Sequence, residues 1–411
     1  MQRAKRKIRE LHYVYDTDSY QATDLTILAD HVTENGILEL AYQQEPDSIV
    51  WARTGDGRLL GLTYRREENV VAWHQHKIGG RFGEATVTVS DYGNIATGTT
   101  LIITKSDGTS VTFTSEASGG TSPDETLGFR PNESNDTTAD NIYTAVNAHA
   151  DFTVANPSAA VVTIQETLHN GTGFMSIVSS DTTRLTTTNE SFSIVENIAT
   201  IPGELNQDNL YMVVKRTING ITRRYVEYLS LSDFGSDVTD AFFVDSGLTY
   251  SGSSATSITG LSHLEGQAVH LLEEGSTHPS KIVASGAITT DRATTKSHIG
   301  LGYASTLKTP RMEVPMATGT IQGKIKKIYN VTVRFYRTVG ASVGTRSDAL
   351  DAIPFRDSSD AMDTAVPLFT GDKTIEAQPN WDTEGSIIVE QSQPLPMTIV
   401  SIYASVDIQN K

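Results

Sequence analysis

Histidines and carboxylates are the side chains of this chain that could support chemistry. His74 and His76 are one residue apart on a predicted strand, so both rings lie on the same side and could share a metal ion. The carboxyl groups of Glu67 and Glu68 are close to them in the sequence. We prefer the simpler interpretation, in which both imidazoles pack within an ordinary strand.

Two further groups of residues are equally unspecific. His263, Glu265 and His270 could supply metal ligands, but their spacing matches no zinc-protease motif. The carboxylates from which a pair for glycoside hydrolysis could be drawn are Glu265, Glu273, Glu274 and Asp291. Because the chain has 49 acidic residues, such pairs arise by chance.

Residue types and motifs exclude other chemistries. The chain has no cysteine, which rules out disulfides, thiol nucleophiles and thiolate metal sites. Its sequence has neither a Gly-x-Ser-x-Gly nucleophile turn nor a phosphate-binding loop. We therefore predict no catalytic residue, no cofactor site and no metal site, and we expect that the protein is not an enzyme.

The net charge is strongly negative. With 32 basic and 49 acidic residues, the chain carries −17 at pH 7, which argues against a protein that grips DNA over a broad surface. The same charge is compatible with a wall past which DNA slides without sticking. Solubility alone is the alternative explanation.

The N-terminal residues are basic. Residues 1–12 carry five basic side chains and one acidic side chain, and we favour a short helix or connector over a nucleic-acid-binding arm. No apolar segment follows them, so we expect no secretory signal. The chain has no run of about 18 apolar residues, so we also expect no transmembrane helix.

Composition marks residues 86–195 as a separate module. This segment has 23 Thr and 13 Ser, with 12 acidic and only 3 basic side chains. Several short strands and one helix, at 138–149 with Thr138 or Asp140 as its cap, are predicted within it. The module is therefore expected to be a small inserted α+β domain with its own core.

The first part of the chain is predicted to contain a helix and then a sheet. The spacing of Leu25, Leu28 and Val32 predicts one helix over 22–36. Four runs of period two follow within 37–76, with an Asp-Gly hairpin turn at Asp56 and Gly57. Four antiparallel strands in about 40 residues match one blade of a β-propeller.

Strands also dominate the rest of the chain. A second blade-like unit is predicted within 192–229, so the Ser/Thr-rich module lies between two blades, where an insertion disturbs the core least. The segment 340–380 is predicted to be a long polar loop. Strands of the C-terminal third are predicted at 267–273, 281–284, 297–303, 327–338, 386–391 and 397–406.

These patterns predict a mainly β fold with propeller-like blades, a C-terminal β-rich domain and an inserted small α+β domain. The predicted divisions are 1–85 for the connector, helix and first blade, 86–195 for the insert, 196–260 for the second blade-like unit, and 261–411 for the C-terminal domain.

Several blocks outside the insert resemble the tail nozzle proteins of short-tailed bacteriophages, also called tail tubular protein B or packaged-DNA stabilisation proteins. Together they span about three quarters of the chain. The blocks lie at 24–31 (DLTILADH), 41–51 (AYQQEPDSIVW), 61–64 (GLTY), 70–76 (VVAWHQH), 214–220 (VKRTING), 224–227 (RYVE), 260–267 (GLSHLEGQ), 331–338 (VTVRFYRT), 367–373 (PLFTGDK) and 393–399 (QPLPMTI).

The resemblance implies a virion structural protein of the viral tail, in which 261–411 is the tail-tube or nozzle domain. The expected partners are further copies of the chain in a ring, a homohexamer in this family, together with portal, adaptor and other tail proteins. Genomic DNA would be retained and then passed through the channel during ejection, without sequence-specific binding.

Family members are usually longer, and the chain resembles their C-terminal portion. Two blades cannot close a propeller, which needs four to eight, so the missing blades would be on another chain, deleted, or outside this sequence. The insert resembles Ser/Thr-rich modules of phage tail proteins more weakly. The alternative function is therefore a tail-associated receptor- or polysaccharide-binding protein, or a hydrolase, with a host cell surface as its partner.

Overall fold

The computed structural model contains two compact units, Met1–Leu229 and Ser230–Lys411. Both units consist mainly of antiparallel β-sheets, which confirms the prediction of a mainly β fold. The described part of the chain contains no helix that is long and apolar enough to cross a membrane. The structure describes residues 3–76, 78–79, 84–105, 108–117, 127–166, 175–190, 193–203, 207–218, 221–230, 232–313, 320–347, 349–376 and 381–409.

The first unit begins with a hairpin of β1 (Arg9–Val14) and β2 (Ser19–Asp24), joined through a short 3₁₀ turn at Tyr15–Thr17. The two strands pair along their full length. The helix that we considered for residues 1–12 is therefore wrong, because a strand begins at Arg9.

The predicted helix over 22–36 is also wrong. Residues up to Asp24 belong to β2, and turns follow. The Asp24 carboxylate accepts hydrogen bonds from the amide and hydroxyl of Thr26, at 2.9 and 2.6 Å, which favours a turn over a helix. Leu25 and Val32 do pack inward, but Leu28 is 90% exposed.

A four-stranded antiparallel sheet follows and confirms the four strands predicted within 37–76. Its strands pair in sequence order, and Gly57 has the positive φ that the Asp-Gly turn requires. We call it the first sheet. Its strands are β3 (Ile37–Gln43), β4 (Ile49–Thr54), β5 (Leu59–Arg65) and β6 (Val70–His76).

The inserted segment has a core of its own that runs from Ala85 to Leu185. Its sheets have the orders β11-β12-β7-β14 and β10-β9-β8-β13, and only β9 and β10 pair in parallel. The elements are β7 (Glu84–Val89), β8 (Thr100–Thr104), β9 (Ser110–Ser115), β10 (Gly128–Phe129), α1 (Asn135–Asn147), β11 (Phe152–Ser158), β12 (Val161–Glu166), β13 (Ser176–Ser179) and β14 (Leu185–Glu190).

The helix α1 begins earlier than predicted. Its N-cap is Ser134, whose hydroxyl accepts a hydrogen bond from the Thr137 amide at 3.0 Å, so neither Thr138 nor Asp140 is the cap. Thr138 is buried instead, and its hydroxyl accepts from the Asn132 amide at 3.0 Å.

The chain then returns to form a second sheet with the order β15-β16-β17. Its strands are β15 (Ser193–Pro202), β16 (Asp208–Ile218) and β17 (Ile221–Tyr228). Residues 193–195, which we had assigned to the insert, belong to β15. Both sheets share one core, in which Trp51 and Leu59 of the first sheet meet Leu210, Met212 and Val214 of the second. Two antiparallel sheets thus pack face to face, with three strands in the second.

The second unit starts with a four-stranded sheet of order β18-β21-β19-β20. Short 3₁₀ turns at Val238–Asp240 and Ser262–Leu264 flank its first strand. The boundary at Leu229 falls within the predicted 196–260 segment. The strands are β18 (Asp245–Thr259), β19 (Ala268–Glu273), β20 (Ser276–Ile282) and β21 (Ala287–Leu301).

The second unit contains two further sheets, and these two sheets share one hydrophobic core. The predicted loop over 340–380 is wrong in part, because three strands lie within it. The strands are β22 (Ser305–Lys308), β23 (Lys326–Thr338), β24 (Ser342–Arg346), β25 (Ala349–Ala352), β26 (Phe369–Glu376), β27 (Trp381–Asp382), β28 (Ile388–Gln391) and β29 (Ile399–Ile408).

Candidate assembly surface

The outer side of the second sheet carries a group of apolar side chains, several of which are exposed. Side chains alternate along β16, so Leu210, Met212 and Val214 point into the shared core and are at most 5% exposed. Their neighbours on the opposite side pair across the strands, Tyr211 with Tyr228 and Val213 with Val226. The second-sheet outer face, as we name it, consists of Ile201, Tyr211, Val213, Val226 and Tyr228.

Three of these five residues are exposed to solvent, and Tyr211 and Val213 are half-buried. Val226 is 75% exposed, Tyr228 is 64% exposed and Ile201 is 48% exposed. The rings of Tyr211 and Tyr228 lie side by side, with centroids 5.9 Å apart. Contiguous apolar surface of this kind marks an interaction site more often than an ordinary surface.

Strand β17 lies at the edge of the same sheet. Among the described strands it pairs with β16 alone, whereas the first sheet has a fourth strand at the corresponding place. An open edge offers main-chain hydrogen bonds to an added strand. Arg223 and Arg224 are exposed on it, and Arg224 forms two hydrogen bonds with Glu196, at 2.5 and 3.1 Å.

The β1–β2 hairpin presents a second apolar surface. Directly paired residues share a side, so Leu11, Tyr13, Tyr20 and Ala22 lie together on the outer side. We name these four residues and Tyr15, at the hairpin tip, the hairpin surface. Leu11 is 70% exposed and Tyr20 is 72% exposed. The Tyr13 and Tyr20 rings pack edge to face, with their centroids 5.4 Å apart. A two-stranded hairpin with so little cover is only marginally stable.

The basic N-terminal residues are partly engaged with the chain itself. Lys7 pairs with Asp30 and lies 3.6 Å from Asp24. The Arg9 guanidinium donates to the Ala22 carbonyl at 2.9 Å. These contacts make the segment part of the hairpin's attachment to the body of the unit.

His74 and His76 do meet, on the side of the first sheet that faces the second. Nδ1 of His74 and Nε2 of His76 are 2.9 Å apart and share a hydrogen bond, and the Trp51 ring packs against both imidazoles. Burial, and to a lesser extent the neighbouring His74, lowers the pKa of His76 to about 3. Glu67 and Glu68 are exposed in the β5–β6 turn. The pair is therefore a packed neutral cluster.

The other histidines and carboxylates that drew attention in the sequence are dispersed. Glu265 accepts from the amides of Ser285 and Gly286, at 2.8 and 2.7 Å, and His263 bonds the Ser246 carbonyl at 2.9 Å. Asp291 pairs with Lys281 at 2.5 Å. Within the described ranges, no three histidine or acidic side chains come close enough to hold a metal ion.

Sequence analysis missed the role of Arg216, which is 1% exposed. Its guanidinium donates to both Glu227 oxygens at 2.7 and 2.8 Å, to the Ser193 hydroxyl at 3.0 Å, and to the Gly79 carbonyl. Gly79 and Ser193 lie just before and just after the insert, so one cation holds both of its ends. The available signal was an arginine at an inward position of β16, after Leu210, Met212 and Val214.

No protein-family model matches this chain, and no curated protein matches it either.

Proposed function

We propose that this chain is a structural component of a bacteriophage tail, which assembles with its own copies into a ring. The ring would be the nozzle or tube that retains packaged DNA and conducts it during ejection. The observation that carries the proposal is the second-sheet outer face, where Ile201, Val226 and Tyr228 are exposed on a sheet whose other side packs into the shared core.

Subunit contact is the physical explanation for such a surface. An apolar sheet face beside an open strand edge is costly in water and prone to aggregation, whereas a neighbouring subunit covers both features at once. The hairpin surface is a further exposed apolar region that contact with another subunit would bury. The resemblance to nozzle proteins adds the ring of six copies, the contacts with portal and adaptor proteins, and the location in the virion tail.

The acidic composition supports conduction rather than binding. A net charge of −17 repels phosphates, so DNA in the channel would meet few attractive contacts. Retention of the DNA would then depend on closure of the channel and not on attraction between basic side chains and the phosphates.

The size of the purified chain tests assembly. Mass photometry and sedimentation velocity are expected to show a discrete hexamer-sized species, or to show one when an adaptor protein is added. The variant Val226→Glu places a charge on the second-sheet outer face and should shift the population to monomers. Val178→Glu is the matched control, because this valine is also exposed on a strand, at 57%, but lies in the insert.

Two results would contradict the proposal. One is a monomer at all concentrations, with or without the adaptor. The other is equal assembly of both valine variants. A monomer or trimer that cleaves polysaccharide would support the alternative function of a tail-associated hydrolase.

A further inference from the structure

A cluster of buried polar side chains lies at the β19–β20 hairpin of the second unit. Glu273 is opposite Ser297 on β21, and it is diagonal to His278 on β20. Glu273 is 2% exposed, Ser297 is fully buried, and the His278 side chain is 15% exposed. All residues from 232 to 313 are described, so the surroundings of the cluster are complete along this part of the chain.

Four polar atoms of this cluster lack hydrogen-bond partners among the described residues. They are Oε1 and Oε2 of Glu273, Nε2 of His278 and Oγ of Ser297. Buried polar atoms are normally satisfied, and a buried carboxylate without a hydrogen bond is especially costly. Such a group requires an explanation beyond packing, and a bound ion is one of the few available.

The charged neighbours are already committed to other contacts. Lys281 pairs with Asp291, and Arg292 pairs with Asp363 at 3.1 Å. Glu274, beside Glu273, accepts hydrogen bonds from residues 294–296 instead of entering the cluster.

One distance points to the kind of ion. His278 Nε2 and Glu273 Oε2 are 3.5 Å apart, which is too long for a good hydrogen bond. Two ligands bonded to a tetrahedral Zn²⁺ at 2.0–2.1 Å are about 3.3 Å from each other. An imidazole nitrogen beside a carboxylate oxygen also favours a late first-row metal over Mg²⁺ or Ca²⁺.

We propose that Glu273 and His278 bind a divalent transition-metal ion of the zinc class at this hairpin. His278 Nε2 and the Glu273 carboxylate are the protein ligands, and the Ser297 hydroxyl donates to the bound carboxylate. The ion bridges β19 and β20, and water completes its coordination. This site is independent of the assembly surface, which lies in the other unit.

The test uses the full chain without a histidine tag, stripped of metal by a chelator. Zinc titration by calorimetry and by thermal unfolding is expected to show one ion per chain and a raised Tm. Glu273→Gln and His278→Gln should each weaken zinc affinity at least tenfold, and Ser297→Ala about tenfold. His31→Gln, which removes an exposed imidazole from the other unit, should bind zinc like the unaltered chain.

The variants also separate metal binding from folding. Glu273→Gln removes a buried carboxylate that has no hydrogen-bond donor, so without zinc it should be at least as stable as the unaltered chain, as circular dichroism would show. The proposal is overturned if the unaltered chain shows no zinc response, which is the result expected for a cluster that holds only water. It is also overturned if Glu273→Gln and His278→Gln bind zinc as tightly as His31→Gln.

Discussion

His74 and His76 lie side by side in a space that a glycine opens. A Cβ atom at Gly61 would be 2.2 Å from Cε1 of His74, so no larger residue is compatible with this ring position. Burial lowers the pKa of His74 as well as that of His76, so the packed cluster requires both imidazoles to be neutral. The two residues thus link the packing of the first sheet to the pH of the solution.

We expect the first unit to lose stability in acid because of this pair. The folded pKa of His76 is about 3 and the unfolded value is about 6.5, so its contribution is complete above pH 6.5 and is lost as the pH falls toward 3. Between these two pKa values, the free energy of unfolding should fall by about 1.4 kcal/mol per pH unit for each such histidine. Urea unfolding between pH 8 and pH 4 measures it.

The variant His76→Gln should flatten this slope, although it lowers stability at pH 8. His31→Gln is the control, because it removes an exposed imidazole from the same unit and leaves the buried pair in place. An unaltered slope in His76→Gln would contradict the assignment.

Substitution of Arg216 should also lower the stability of the fold strongly. Arg216→Met removes the cation and leaves Glu227 unpaired beside the buried core, which should cost about 3–5 kcal/mol in urea unfolding. Arg224→Met removes an exposed arginine that makes the same kind of paired contact with Glu196, so its effect should be much smaller. Equal losses in both variants would show that the contacts of Arg216 to Gly79 and Ser193 add little.

At the scale of elements, the two ends of the insert meet where they join the rest of the first unit. The Ser193 hydroxyl donates to the Gly79 carbonyl at 3.3 Å, so the chain leaves and re-enters the body at almost the same point. Every residue of the insert core lies between Ala85 and Leu185, and the core shared by the two stacked sheets contains none of them.

Excision of the insert should therefore leave a folded body. Residues 80–192 would be replaced by a short Gly/Ser linker, which keeps Ser193 and Val195 in β15 and keeps the Val195 amide bonded to the Gly57 carbonyl at 2.8 Å. Circular dichroism melting and mass photometry are expected to show cooperative unfolding and unchanged assembly. A body that melts without cooperativity would show that the two cores depend on each other.

The alternation of apolar and polar residues was sufficient to predict many strands, but it did not predict the turns. Alternating residues fixed β3 to β6 and the long strands β16 and β23, because burial on one side imposes period two. The helix over 22–36 failed because the Asp24 side chain competes for the first amides, which apolar spacing does not reveal. Strands β24 and β25 are short, and β26 has exposed polar residues at every second position, so the segment 340–380 resembled a polar loop.

Contacts between distant residues were beyond the reach of the sequence. Nothing in the spacing of Glu273 and Ser297, or of Gly79 and Arg216, indicates that they meet, because the sheet register decides it. The assembly surface was foreseen only as a general consequence of two blades without neighbours. The individual residues, such as Val226 and Tyr228, follow from the pairing of β16 with β17.

At the scale of the whole molecule, net charge predicts how the chain meets DNA. Fluorescence anisotropy with a labelled duplex is expected to show no saturable binding at micromolar protein and physiological salt, because −17 opposes phosphate contacts. The same measurement at lower salt should show little gain, and a basic DNA-binding protein is the positive control. Tight binding with a steep salt dependence would mean that the chain has a basic surface that binds DNA despite its net charge.

The two arginines on the open edge of β17 bear on the direction of the ring assembly that we propose. A symmetric pairing of two β17 strands would bring both copies of Arg223 onto one short ribbon, where like charges repel, although Arg224 is paired with Glu196. In the proposed assembly, this edge would therefore disfavour contact with its own copy and favour a different surface on the next molecule. Contacts between unlike surfaces are head-to-tail, and they close into rings or extend into filaments instead of stopping at a pair. The same charges that keep single chains from sticking together by this edge would thus make each added subunit point the same way.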